Sequence, residues 1–271
     1  MRTSIKMVDI FVLKLVLSFI VGSFWITLLS VFAEKLGTRI GGAIAGIPAT
    51  MVVALFFMGW TQTPEIASES TTVVPLVVGV NALFTVIFVL FLRFGYWLSL
   101  FVSLLFWFVV SYIVVVINFN NFIYSILAFI FFLSISYYIF EKILNIKSEE
   151  KQKLKYTIGQ ISFRGLIGGI VIVFAVLLAK IGGPLLGGIF ASFPALTIAL
   201  IMIMRFSHNL KFISGFLKNF IISGTINVVL FTIAIRYTYL FFGLILGTTI
   251  SLLLSFLSAY LTYQFINKKM L

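Results

Sequence analysis

The sequence of 271 residues has no cysteine, one histidine (His208) and one aspartate (Asp9). Disulfides and thiolate metal sites are excluded, and neither a metal-ligand cluster nor a Ser-His-Asp triad can be assembled convincingly. No glycine-rich segment runs into the Lys-Ser/Thr of a phosphate-cradling loop. Acidic residues number 7 against 19 Lys and Arg. None lies at the centre of a long apolar stretch, so the buried carboxylate of an ordinary proton antiporter is missing. Polar stretches are scarce too; the longest, Glu141 to Tyr156, is a short charged linker. These absences predict a chain that is not an enzyme and carries no cofactor or metal.

What fills the sequence is apolar residue: 62% hydrophobic against 10% charged, with a mean hydropathy of +1.23. A spanning helix needs about 20 predominantly apolar residues. Nine stretches qualify, at roughly 9–33, 40–60, 72–92, 95–117, 121–141, 160–180, 184–205, 212–234 and 238–266. The predicted fold is all-α, a polytopic integral membrane protein with nine transmembrane helices. Met1–Lys6 leads into a full-length span, so a cleaved signal peptide is not expected. The net charge of +12 reads as the cationic bias of inner loops rather than a nucleic-acid surface, because no basic face exists outside those loops. The expected partners are membrane lipids and a small solute or ion, with no nucleic acid; a homo-oligomer is left open.

Residues 33–62 and 179–208 align without a gap at an offset of 146, and Ala33, Gly37, Gly41, Gly42, Ala45, Pro48, Ala49 and Met58 recur in the second copy. Asn81 against Asn227 and Phe119 against Phe265 extend the match. Five spans separate the two starts, an odd number, so the second copy enters the membrane from the opposite side. Such inverted repeats are common among secondary transporters. The expected organisation is a four-helix unit over 1–118, a connecting helix and cytoplasmic linker over 119–158, and an inverted four-helix unit over 159–271.

Charge points the same way. With the amino terminus outside and the carboxyl terminus cytoplasmic, Arg2, Lys6, Lys14, Lys180 and Arg236 are outside, leaving 14 of the 19 Lys and Arg inside. The equivalent loops differ in sign: 60–72 holds Glu65 and Glu69 and no base, whereas 206–218 holds His208, Lys211 and Lys218 and no acid. The expected location is the cell membrane.

The second helix of each unit opens on a glycine–proline motif, Gly41-Gly42 to Pro48 and Gly187-Gly188 to Pro194. Small residues four apart let helix backbones approach closely in lipid, which predicts that these two helices meet near a pseudo-twofold axis. Each proline is expected roughly 10–15 Å inside its helix, near the bilayer middle. Lacking an amide donor, Pro48 and Pro194 deprive the Ile44 and Phe190 carbonyls of partners, which is tolerated at depth only where protein, water or ligand supplies one. Asn81 and Asn227 fall in the third helix of each unit, either clamping a neighbouring helix or lining a polar path. Thr50, Thr85, Thr197 and Thr225 lie near enough to add hydroxyls. The candidate substrate site is therefore Gly41, Gly42, Pro48, Asn81, Gly187, Gly188, Pro194 and Asn227.

A four-plus-one-plus-four plan resembles fused dual-topology membrane proteins such as the doubled fluoride channels, although their Gly-Gly-Phe-Thr-Thr-Phe-Ser-Thr-Phe filter motif is absent here. The segment from Gly187-Gly188 to Pro194-Ala195-Leu196 is similar to the opening of the second helix in small GlpM-like membrane proteins, each about the size of one repeat. That resemblance implies an origin by duplication and brings no substrate. The first expectation is a secondary transporter or exporter of a small solute, with helix amides near Gly41 and Gly187 mildly favouring an anion. A passive anion channel and a non-transporting scaffold or lipid-handling protein are the alternatives.

Overall fold

A computed structural model describes residues 2–35, 48–146, 157–207 and 210–269. Among these every regular element is helical. In order they are α1 (Arg2–Lys35), α2 (Ala49–Thr61), α3 (Pro64–Ser70), α4 (Val74–Phe91), α5 (Tyr96–Val116), α6 (Phe122–Tyr138), α7 (Ile158–Ala191), α8 (Ala195–Ser207) and α9 (Leu210–Lys269).

Local chemistry sets the starts. Thr63 and Asn121 cap α3 and α6 with side-chain oxygens that accept the Ile66 and Tyr124 amides. Thr157 and Gln160 form a reciprocal capping box on α7. Glycine sets the breaks. Gly183 (φ 82°) divides α7 into arms 158–182 and 184–191, and Gly243 (φ 70°) divides α9 into arms 210–242 and 244–269. Gly95 (φ 125°) turns the chain between α4 and α5. Positive φ is cheap only without a Cβ. Pro184 follows Gly183 at the first position of the new arm, where a missing amide costs nothing.

Six helical segments among the described residues are long and apolar enough to cross a membrane: Ile10–Leu29, Val74–Phe94, Tyr96–Val116, Phe122–Ile143, Ile158–Arg205 and Gly224–Leu261. This fits a multi-pass membrane protein. The last two run to 48 and 38 residues and contain the breaks, whereas α2, with 13 residues, is shorter than a crossing. The expected span at 40–60 falls partly outside the described residues. Large apolar side chains face outward, Phe101, Tyr112, Phe131 and Phe241 among them, while Trp107, Phe84, Phe88 and Phe231 fill the interior.

The centre is built where α1 meets the first arm of α7. Gly165 faces Thr27 and Ser23, Gly168 faces Ile26, Gly169 faces Ser23 and Phe19, and Gly22 faces Ile172. Numbers rise along one helix as they fall along the other, so the two helices run antiparallel. Close approach of this kind needs glycine, since lipid supplies no hydrophobic drive and packing must hold the pair. Gly187 and Gly188 pack elsewhere, and Gly41 and Gly42 lie outside the described residues.

Helix α6 lies along α4. Gly79 lets the Phe129 backbone approach, and the Leu76 amide donates to Ser125 Oγ at 2.9 Å. Its end loosens into a π turn at Ile139–Ile143, where Glu141 meets Lys218 of α9 at 2.5 Å; Lys218 also donates to the Ile146 carbonyl at 2.8 Å.

Candidate functional site at a broken helix

Pro194 sits between two helices rather than inside one. The second arm of α7 ends at Ala191 and α8 starts at Ala195. A proline cannot donate into a preceding helix and its ring clashes with it, so the chain restarts there instead of kinking. Pro48 stands at the N-cap of α2, with φ −75° and ψ 61°, and the residues before it lie outside those described. Both carbonyls open the next helix, Pro48 to the Val52 amide and Pro194 to the Ile198 amide, each at 2.9 Å. The two helices that follow are each 13 residues long.

The carbonyl accounting at the second break differs from expectation. The Phe190 carbonyl is not orphaned, because the Phe193 amide donates to it at 3.1 Å. Ser192 N–H is shared between Gly188 and Ile189, and Ser192 Oγ donates to Gly188 O at 2.8 Å. The group answered from elsewhere in the fold is the Ser192 carbonyl, which accepts from Asn81 Nδ2 at 2.7 Å. Asn81 lies mid-way along α4, 111 residues away in sequence. Its Oδ1 accepts from Trp107 Nε1 at 2.8 Å. Trp107 is fully buried and meets Phe193 edge-on, with centroids 5.0 Å apart and planes at 88°; Phe190 stands 6.3 Å away on the same ring. One amide therefore ties α4, α5 and the broken helix together.

Asn227 is also fully buried, and its Oδ1 accepts from Ser255 Oγ at 3.0 Å and from Ser258 Oγ at 2.5 Å. Both asparagines thus clamp their helix to the following one. Thr85 and Thr225 donate to carbonyls of their own helices, Asn81 O and Ile221 O. Lys14 donates to the Trp60 carbonyl at 2.6 Å, capping the end of α2, and lies 4.9 Å from the Trp60 ring centroid.

The structure therefore brings Asn81 to the Ser192 carbonyl, two residues before Pro194, and places Pro48 at a helix start. Gly187 and Gly188 are buried as spacers. A methyl at Gly187 would stand 2.5 Å from Ala179 Cβ, and one at Gly188 would stand 2.1 Å from Ser70 O. A cavity of about 290 Å³ opens beside the start of α7, lined by Thr157, Gly159, Gln160, Phe163, Met202 and Ile203, and none of the expected site residues borders it. Among the described residues no cluster of His, Cys, Asp or Glu could hold a metal ion.

Trp107, Ser255 and Ser258 are the residues that sequence reasoning missed. A signal existed: an indole N–H in mid-span must find an acceptor, and serines three apart share one helix face.

No curated protein and no solved structure matches the chain. One family model does, over residues 15–120 and again over 161–268, and its description reads "Protein of unknown function (DUF3147)". With both halves of its helical framework inside that match, the chain belongs to the DUF3147 family.

Proposed function

We propose that the chain is a secondary transporter or exporter, moving a small solute, with anions favoured, through a site at the broken helix by alternating access between inverted units. The observation that carries this reading is the bond from Asn81, in the first half, to the Ser192 carbonyl two residues before Pro194 in the second. Irregular backbone at membrane depth is tolerated only where protein or a cavity answers it. Discontinuous helices between repeats are the usual substrate sites of transporters built this way.

Several observations support the inverted repeat beneath it. The family match begins at 15 and at 161, 146 residues apart. Gly22 faces Ile172 while Gly168 faces Ile26, a reciprocal contact in which each partner is shifted by 146. Reciprocity of this kind marks a twofold relation, and the antiparallel run makes the axis lie across the helices. Counting arms 158–182, 184–207, 210–242 and 244–269 separately, together with α1, the α2 span, α4, α5 and α6, supports nine crossings in a four-plus-one-plus-four order. The amino terminus would lie outside and the carboxyl terminus in the cytoplasm of the cell membrane.

Flux into liposomes tests the site. Asn81→Ala and the double variant Pro48→Ala/Pro194→Ala should each slow transport per folded molecule, with folding checked by thermal melting, and unaltered transport in both removes the broken helix as the site. Uncoupled, unsaturable throughput would instead identify an anion channel. A second reading draws on the Asn227–Ser255–Ser258 clamp, which is buried glue of the kind a non-transporting scaffold or lipid-handling protein would also need. No flux for any anion, with a sealed interface, would favour it.

A further inference from the structure

Two cations sit at the ends of helices in the second half, and they are treated differently. Lys218 is almost fully buried and neutralised by Glu141. Arg236, half-buried on the 210–242 arm, meets no carboxylate within ion-pair distance among the described residues; Glu65 and Glu69 on nearby α3 are exposed and make no bridge to it. Its Nη1 donates to Thr72 Oγ1 at 2.8 Å, with longer contacts to the Ser68 carbonyl at 3.4 Å and Thr71 Oγ1 at 3.5 Å. The Ser68 hydroxyl in turn donates to the Arg236 carbonyl at 2.7 Å, and the Phe122 ring lies 4.4 Å from the guanidinium carbon.

One nitrogen of the guanidinium is therefore anchored by neutral oxygens, while Nε and Nη2 have no acceptor among the described residues. A guanidinium offers five donors in a fixed fork, and the edge left over matches two oxygens of an oxyanion. Its anchors are rigid: Ser68, Thr71 and Thr72 are buried, and Thr71 Oγ1 itself donates to the Ser68 carbonyl. Beyond it, Tyr237, Leu240 and Phe241 are exposed and apolar, so the charge stands beside a lipid-facing surface.

We propose that Arg236, held by Thr72, Thr71 and Ser68, binds a phosphate group, either of free inorganic phosphate or of an anionic lipid headgroup. This site does not depend on the transport reading, because binding is measured without flux. The full chain is titrated with inorganic phosphate in neutral detergent. In parallel it is placed in nanodiscs of phosphatidylcholine with or without phosphatidylglycerol, and retained lipid is counted by native mass spectrometry. Saturable phosphate binding marks the free ion as the source; retained phosphatidylglycerol without phosphate binding marks the headgroup. In either arm Arg236→Gln should weaken binding about tenfold, the loss of one charge-assisted contact, and Arg236→Lys should restore part of it. Thr72→Val, which keeps the charge but frees the guanidinium, should lose less, and it decides the matter if Arg236→Gln fails to give a helical, cooperatively melting protein. The proposal is overturned if wild type binds neither species, or if Arg236→Gln, or in its place Thr72→Val, binds as wild type does.

Discussion

Gly22 packs so closely on Ile172 that a methyl on the glycine would stand 2.4 Å from the isoleucine Cδ1, and Gly168 stands in the same relation to Ile26 at 2.1 Å. Ile26 and Ile172 are both essentially sealed from solvent, so neither has room to withdraw. Inserting carbon into a packed interior costs about 1–3 kcal/mol. Gly168→Ala should lower the melting temperature in detergent, and adding Ile26→Val, which removes the opposing Cδ1, should recover part of the loss. Gly22→Ala with Ile172→Val should repeat the pattern; two unrelated responses would argue against a shared geometry.

Asn81 is the joint most exposed to a single substitution. Asn81→Leu leaves both the Trp107 indole and the Ser192 carbonyl without their partner, each a penalty of about 1–3 kcal/mol. Thermal melting should show Asn81→Leu to be more harmful than Trp107→Phe, which removes only one donor. In a double-mutant cycle the two substitutions should couple rather than add.

At the other end, Glu141 and Lys218 should respond unequally. Glu141→Ala strands a buried ammonium with only the Ile146 carbonyl, whereas Lys218→Met removes the charge and leaves a half-exposed carboxylate in water. Breaking a buried pair from one side costs more than replacing it with apolar side chains. The expected stability order is wild type or Lys218→Met above Glu141→Ala, read by denaturation in mixed micelles.

Glu65 gives a pH signature. Its own backbone amide and the Thr63 hydroxyl hold its carboxyl below the usual glutamate range. A depressed value means the contribution to α3 is present above the ordinary carboxylate value and is lost as pH falls through the lowered one. Site-specific titration by nuclear magnetic resonance should place the midpoint below that of free glutamate, and Thr63→Ala should move it upward.

Much of the framework was legible because lipid leaves the sequence few choices. Hydropathy marked the apolar helices, and Pro48 and Pro194 each marked a helix start, with a chain break described before Pro194. The Asn81 partners were not legible: Trp107 and Ser192 lie 26 and 111 residues away, and only tertiary packing joins them. The central glycine contact could have been found. Gly22 and Gly168 are identical at the repeat offset but precede the segment where the match is dense, so the stripe beside the prolines drew attention instead. That stripe turned out to seat Gly187 and Gly188 against α2 and α3, where no ligand is needed to explain it.

At 1.5 Å per residue the 13 residues of α2 or α8 reach only about 20 Å, against a hydrocarbon core of about 30 Å. A helix of that length, were it to start at one interface, would end past the midplane and short of the far side, where its unpaired backbone groups would need partners from the protein. Depth, more than sequence, then dictates what the second break requires. At Ser192 the Asn81 amide does the work that water performs in a soluble loop.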